Sequence, residues 1–296
     1  MRSRADSLAE LRELIDVAAR PDMSTPIQGL LLSKVLDPAS EPEYSLTEPL
    51  VVVMAQGGKR LRLGDREYTY RAGDVLVVTA GVPVTGHFVD VDADTAALDV
   101  GLVLRPATVA GLAARAPSRR PDDPSALATG PADADLLDAV VRMVRLVAQP
   151  GDAEVLAPLL EQEIVWRVLT GPHGAAVRRI GLADSDLTHV SRAIGWIRDN
   201  SAEPLRIDDL ARLSGMSPSA FHRHFRHVTN MSPLQFQKHI RLQRARTLLA
   251  AHPGDVAGVG HRVGYGSPSQ FNREYRRQFG TPPGQDAVRL REVGVP

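Results

Sequence analysis

SPSAFHRHFR, residues 217 to 226, returns fifty positions later as SPSQFNREYR, residues 267 to 276. Each copy reads as a short helix with its start and its stop written in. Ser217 and Ser267 carry the short oxygen-bearing side chain that caps free helical amides. Pro218 and Pro268 suit the first helical position, where no N–H is needed. Phe221, Phe225 and Val228 form the buried stripe of the first copy, and Phe271 and Tyr275 that of the second. Asn230 and Gly280 supply left-handed stops, and Pro233 and Pro283 keep the same offset. Ahead of the first copy, Ile207, Leu210, Ala211 and Leu213 predict a small helix ending at Ser214-Gly215-Met216. Ala211 and Gly215 are small enough to let a second helix cross closely. Gly264 makes the corresponding turn before the second copy. A small helix, a glycine turn and a capped amphipathic helix, present twice, is the pattern of a tandem helix-turn-helix.

Between the copies, Pro233 to Ala251 reads as one strong helix with Phe236, Ile240, Leu242, Ala245, Leu248 and Leu249 as its apolar positions. It spans about 27 Å at 1.5 Å per residue, close to the roughly 34 Å between successive turns of the major groove. Another helix, Asp186 to Asp199, opens this part of the chain with Leu187, Val190, Ile194 and Ile197 on one side. If Phe221 and Phe225 are inside, Ser219, His222, Arg223 and Arg226 lie outside, and Ser269, Asn272, Arg273 and Arg276 match them in the second copy. On one isolated helix such a face means only contact with water. Two copies at one offset point to a surface built for reading. Arg226, Lys238, Arg241, Arg276 and Arg277 are assigned to phosphate contacts.

The arrangement resembles the AraC family of transcriptional regulators over residues 182 to 291. RLQRARTLLA (241 to 250) and VGYGSPSQFNREYRRQFGTPP (263 to 283) are close to the family's signature. The resemblance implies base contacts at Ser219, His222 and Arg223, and at Ser269, Asn272 and Arg273. Arg223 and Arg273 have the fork for guanine O6 and N7, and Asn272 can pair with adenine. One position departs from the family, where Gly260 replaces the usual Ala, with Gly258 nearby. Interior glycines cost about 1 kcal/mol each relative to Ala, so this small helix is expected to be marginal until docked, and the second unit to contribute less securely to binding than the first.

Upstream the pattern changes to short alternating runs, at 50 to 56, 59 to 63, 66 to 70, 74 to 79, 86 to 91 and 96 to 104. Gly57-Gly58, Gly64-Asp65, Ala72-Gly73-Asp74 and Val82-Pro83 separate them, which predicts a small antiparallel barrel or jelly roll. The segment from Glu48 to Gly86 resembles the cupin-like N-terminal domain of one branch of AraC-type regulators, which implies small-molecule sensing and dimerisation. Val53, Leu61, Tyr68, Tyr70, Leu76 and Phe88 are the inward positions for a cavity, with His87 as a pocket or structural residue. The same side chains would serve equally to fill a small barrel. Metal-binding cupins need His-x-His and a later Glu, and His87 stands alone in this region. A helix is expected near the N-terminus, with Leu8, Leu11, Leu14, Ile15 and Ala18 on one face. Residues 116 to 133 read as a loop. Two wide-striped helices follow, at 133 to 148 and 153 to 170, wide enough to pack on each other and on a second subunit. Gly171 to Gly174 is the expected start of a linker.

The 296 residues carry no net charge, but the halves differ. From Ile180 onward 16 Lys and Arg face 10 Asp and Glu, whereas the preceding part has 19 against 25. Only the basic C-terminal part is expected to meet a polyanion. With no cysteine, disulfides, thiolate zinc sites and Cys nucleophiles are excluded. No apolar run is long enough for a membrane span, and the first residues lack the apolar core of a targeting peptide. GVGHRVG (258 to 264) has the wrong spacing and no preceding strand for a dinucleotide loop. His222 and His224 diverge on their helix, against zinc.

The expectation is an α+β chain of two domains. Residues 1 to 175 form a cupin-like β-barrel with flanking helices for sensing and dimerisation. Residues 182 to 296 form an all-α DNA-binding domain, two helix-turn-helix units joined by a long helix. It is expected to be a cytoplasmic regulator, not an enzyme, without metal or cofactor. The expected partners are double-stranded DNA, a second copy of the chain, a small-molecule effector and RNA polymerase, with no membrane. A cupin-type enzyme with an attached helical domain is the alternative, told apart by bound metal or turnover. A third reading replaces the effector with a protein partner, which a barrel filled by its own side chains favours.

Overall fold

The run LVVVMAQ is apolar at successive positions because its strand is covered on both sides. The computed structural model describes residues 3–36, 42–92, 95–116, 125–182 and 185–293. In it this strand is β3 (Leu50–Gln56), the centre of a five-stranded antiparallel sheet ordered β1 (Leu30–Val35), β8 (Ala97–Val103), β3, β6 (Asp74–Val78) and β9 (Leu127–Pro131). The second sheet runs β2 (Glu43–Leu46), β7 (Pro83–Val89), β4 (Gly58–Leu63) and β5 (Arg66–Arg71). Val52, Met54, Leu76 and Val78 share one core with Leu61, Leu63, Tyr70 and Val84 of the four-stranded sheet. Val51, Val53, Ala55, Val75 and Val77 turn to the opposite face, under α1 (Arg4–Ala18), α3 (Ala134–Arg145) and α4 (Pro150–Thr170). Among the described residues no strand joins the two sheets, so the expected barrel is an open two-sheet sandwich backed by helices.

On α1, Leu11 and Ile15 are fully buried, with Leu8, Leu14 and Ala18 packed around them. The expected loop at 116 to 133 contains β9, which extends the large sheet by pairing Leu76 with Thr129; residues 117–124 of that loop lie outside the described residues. The expected linker after Gly171 becomes a helix at once. This helix, α5 (Gly174–Gly181), lies on α2 (Pro106–Ala113). Gly181 permits that packing, since a Cβ there would stand 2.6 Å from the backbone nitrogen of Ala110.

The C-terminal helices are α6 (Asp186–Asp199), α7 (Ile207–Leu213), α8 (Pro218–Thr229), α9 (Pro233–Ala251), α10 (Val256–Arg262), α11 (Pro268–Phe279) and α12 (Pro283–Val293). Ser217 accepts from the Ala220 amide at 3.3 Å and Ser267 from that of Gln270 at 3.4 Å. Asn230 and Gly280 close α8 and α11 with φ of 53° and 80°. Helix α9 starts in a capping box, with Ser232 accepting from the Gln235 amide and the Gln235 side chain accepting from that of Ser232. The first unit buries Phe221, Phe225 and Phe236 in a core continuous with the space between the sheets. The second has its own core of Leu242, Leu249, Val259, Tyr265, Phe271 and Tyr275.

The glycines of α10 have a packing reason. Gly260 lies under Phe271, whose Cδ1 would be 2.9 Å from an added Cβ. The Gly258 amide donates to the capping carboxylate of Asp255 at 2.9 Å. The weak helix is thus held by its cap and by the ring of the helix it supports.

Candidate nucleic-acid interface

Opposite the buried aromatic stripe of α8, Ser219, His222, Arg223 and Arg226 are exposed on one face. Ser269, Asn272, Arg273 and Arg276 are exposed at the same positions of α11. Asn272, Arg273, Arg276 and Arg277 border one open groove. These faces combine forked guanidinium donors with amide and hydroxyl groups, the chemistry that reads base edges and grips phosphate.

Two of the expected phosphate ligands are engaged by other groups of the chain. The Arg241 guanidinium donates to the carbonyls of Ser201 at 2.6 Å, Ala202 at 3.0 Å, Glu203 at 3.1 Å and Gly264 at 3.0 Å. It thereby ties the loop before α7 to the turn of the second unit, which removes it from the phosphate set. Its ring-facing side lies 5.9 Å from the Tyr265 centroid, and burial lowers its pKa. Lys238 pairs with Glu274 on α11 at 3.1 Å. Burial pushes the Glu274 carboxyl up, but hydrogen bonds from Tyr265 and Lys238 outweigh that and hold it below the usual range.

The expected cavity residues divide by strand parity. Leu61, Tyr70 and Leu76 lie between the sheets. Val53 faces the helices instead, because alternation on a sheet buried on both sides sends it to the other core. His87 is exposed, and Phe88 lies under the Lys59 Nζ, 4.3 Å from its ring centroid. Tyr68 reaches the end of the sheet, where its hydroxyl meets that of Ser125 at 2.6 Å.

Sequence reading missed a polar group in this interior. Lys59 pairs with Glu43 at 2.6 Å. Burial raises the Asp99 carboxyl to about 6, partly offset by Lys59 and a hydrogen bond from Ser33. Burial, with Asp99 and Glu43 nearby, also pushes the Tyr70 phenol well up. The signal was available, since Asp99 is a lone charge in the apolar run AALDVGLVL. Among the described residues no group of three His, Asp or Glu is arranged to hold a metal, and no helix is long and apolar enough to cross a membrane.

The four-stranded sheet touches the end of each recognition helix. At the β4–β5 turn, Gly64 (φ 62°) presses on Asn230, whose carbonyl oxygen would be 2.3 Å from a Cβ. Just ahead of β9, from the five-stranded sheet, the Ala126 amide donates to the Val228 carbonyl at 2.9 Å. At the other edge Tyr44 donates to the Gln278 carbonyl at 3.0 Å and meets Phe279 edge-on at 4.7 Å. Gln243 on α9 donates to the Ser45 carbonyl at 3.1 Å.

Residues 26–176 match the family model described as the AraC-type transcriptional regulator N-terminus, and residues 210–287 match a helix-turn-helix domain. The HTH-type transcriptional activator RhaS of Salmonella arizonae is 26% identical over 157 residues, 51% of this chain and 56% of that protein. RhaS of Salmonella typhimurium is 26% identical over 161 residues, 52% of this chain and 56% of that protein. The chain thus spans about half the length of these curated relatives. Among solved structures, ToxT from Vibrio cholerae with a bound unsaturated fatty acid superposes with a TM-score of 0.57 at 9% identity, covering 92% of this chain and 98% of ToxT. ToxT from Vibrio cholerae O395 gives 0.55 at 8% identity, over 90% of this chain and all of that one. At such low identity the likeness shows the shared two-part fold alone.

Proposed function

We infer, for a chain that belongs to the AraC family of transcriptional regulators, that it reads a specific site on double-stranded DNA and alters transcription there in response to a small molecule. The DNA-reading part is residues 182 to 296 and the sensing part residues 1 to 175. One observation carries the reading: two capped helices at an offset of fifty expose the same arginine-bearing face, and the nineteen-residue α9 joins their units. Ser219, His222 and Arg223, and Ser269, Asn272 and Arg273, meet base edges. Arg226, Arg276 and Arg277 meet phosphate.

The interior polar group of Lys59, Asp99 and Tyr70, with Leu61, Leu76 and Phe88 around it, is the effector's place. Homodimers through the sensing part and contact with RNA polymerase complete the proposal, as expected for a regulator of this family. The test is selection of bound fragments from sheared genomic DNA by the full chain, repeated with Arg223→Ala. The variant loses about 1 to 3 kcal/mol on the selected site and relaxes one base position. Equal loss on every sequence overturns the base-reading role.

A further inference from the structure

Between the two places where the four-stranded sheet touches the recognition helices lies a crevice of about 280 Å³. Its lining includes Arg62 and Thr85 from the sheet, His239 and Gln243 from α9, and Arg277 and Gln278 from the end of α11. No acidic side chain lines it. The side chains of Arg62 and Arg277, from different halves of the chain, form no hydrogen bond or ion pair among the described residues. Burial, with Lys238 and Arg62 close by, lowers His239 to about 4, so its ring stays neutral near pH 7 and adds no third positive charge. The crevice therefore carries two guanidinium groups and no carboxylate in its lining, with Glu67 across the β4–β5 pair from Arg62, and its net positive charge attracts an anion.

We propose that this crevice binds a small oxyanion, a phosphate or a carboxylate group, which bridges Arg62 of the sensing half to Arg277 of the second recognition helix. Guanidinium forks take such groups through paired charge-assisted hydrogen bonds. The Thr85 hydroxyl and the amides of Gln243 and Gln278 complete a set rich in donors. Both arginines are reachable from solvent, so the ion needs no opening of the fold. Arg277 also borders the groove beside α11. A bound oxyanion thus draws to the junction a side chain that the proposed function gives to DNA phosphate, and the regulatory part of this inference rests on that reading.

The site itself is tested without DNA. The full chain is titrated calorimetrically with inorganic phosphate and separately with acetate, each against chloride at equal ionic strength; the two arms distinguish the phosphate source from the carboxylate. Saturable binding of at least one anion is expected, weakened about tenfold or more in Arg62→Ala and partly kept in Arg62→Lys. Arg62→Glu places a carboxylate opposite Arg277. It is expected to abolish anion binding. No saturable binding of either anion, or equal binding by wild type and Arg62→Ala, overturns the proposal. Should Arg62→Ala fail to fold, Arg277→Gln carries the same comparison. In a second readout the bound anion weakens affinity for the selected DNA fragment in the wild type and leaves that of Arg62→Ala unchanged. Equal effects on both overturn the competition while leaving DNA reading intact.

Discussion

Arg241 and Arg226 look alike in sequence, each a cation on a helix of the basic half, yet their surroundings separate them. Arg226 stands on the exposed face of α8. Arg241 reaches four backbone carbonyls from two separate loops. Removing it leaves those carbonyls short of a charged donor, so Arg241→Ala is expected to destabilise the folded chain by about 2 to 3 kcal/mol. It is also expected to leave the salt dependence of DNA binding unchanged. Arg226→Ala should reduce that slope by about one unit. Urea unfolding and DNA titrations across a salt series measure the two effects. An equal drop in slope for both variants returns Arg241 to the phosphate contacts.

The recognition helices were legible because their signals are local. Cap, proline, aromatic stripe and stop all fall within fourteen positions, and the repeat supplies its own control. The strands from β3 to β8 were also legible, since alternation and glycine turns mark them. Strands β1, β2 and β9 were not. Each lies at a sheet edge, and β2 and β9 are only four and five residues long, too short for a pattern. Val53 was misplaced for a different reason: where both faces of a sheet are covered, parity shows that neighbours diverge but not which core each enters. The roles of Arg241 and Asp99 depend on partners distant in sequence, beyond the reach of any window. Helix α10 shows the same limit. Propensity alone makes Gly260→Ala favourable by about 1 kcal/mol. The ring of Phe271 is buried between Tyr265 and Tyr275, at centroid distances of 5.3 and 5.6 Å, and has little room to yield to a new methyl group. Gly260→Ala is therefore expected to lower the urea midpoint of the second unit, followed by amide hydrogen exchange in α11. A raised midpoint would show that Phe271 shifts freely.

At the scale of the molecule, two partly buried titratable groups impose opposite pH dependences. His239 titrates at about 4 when folded, against an ordinary 6.5. The stability it confers is complete above pH 6.5 and is lost as pH falls through 4. Asp99 titrates at about 6, against an ordinary 3.8. Its contribution is complete below pH 3.8 and is lost as pH rises through 6. Between pH 4 and 6 the two oppose each other, so the wild-type profile alone is uninformative. Paired variants separate them. Relative to His239→Gln, the wild type should lose stability as pH falls from 6.5 to 4. Relative to Asp99→Asn, it should lose stability as pH rises from 4 to 6. Chemical unfolding at stepped pH tests both, and parallel profiles would remove the assignment. A different asymmetry follows from how the apolar interior is shared. The first reader borrows its oily neighbours from the sandwich, whereas the second keeps a private set. Cutting the chain just before α6 would leave a raw, greasy scar on the leading head and almost none on the trailing one, so a trimmed tail would tend to clump by its front end.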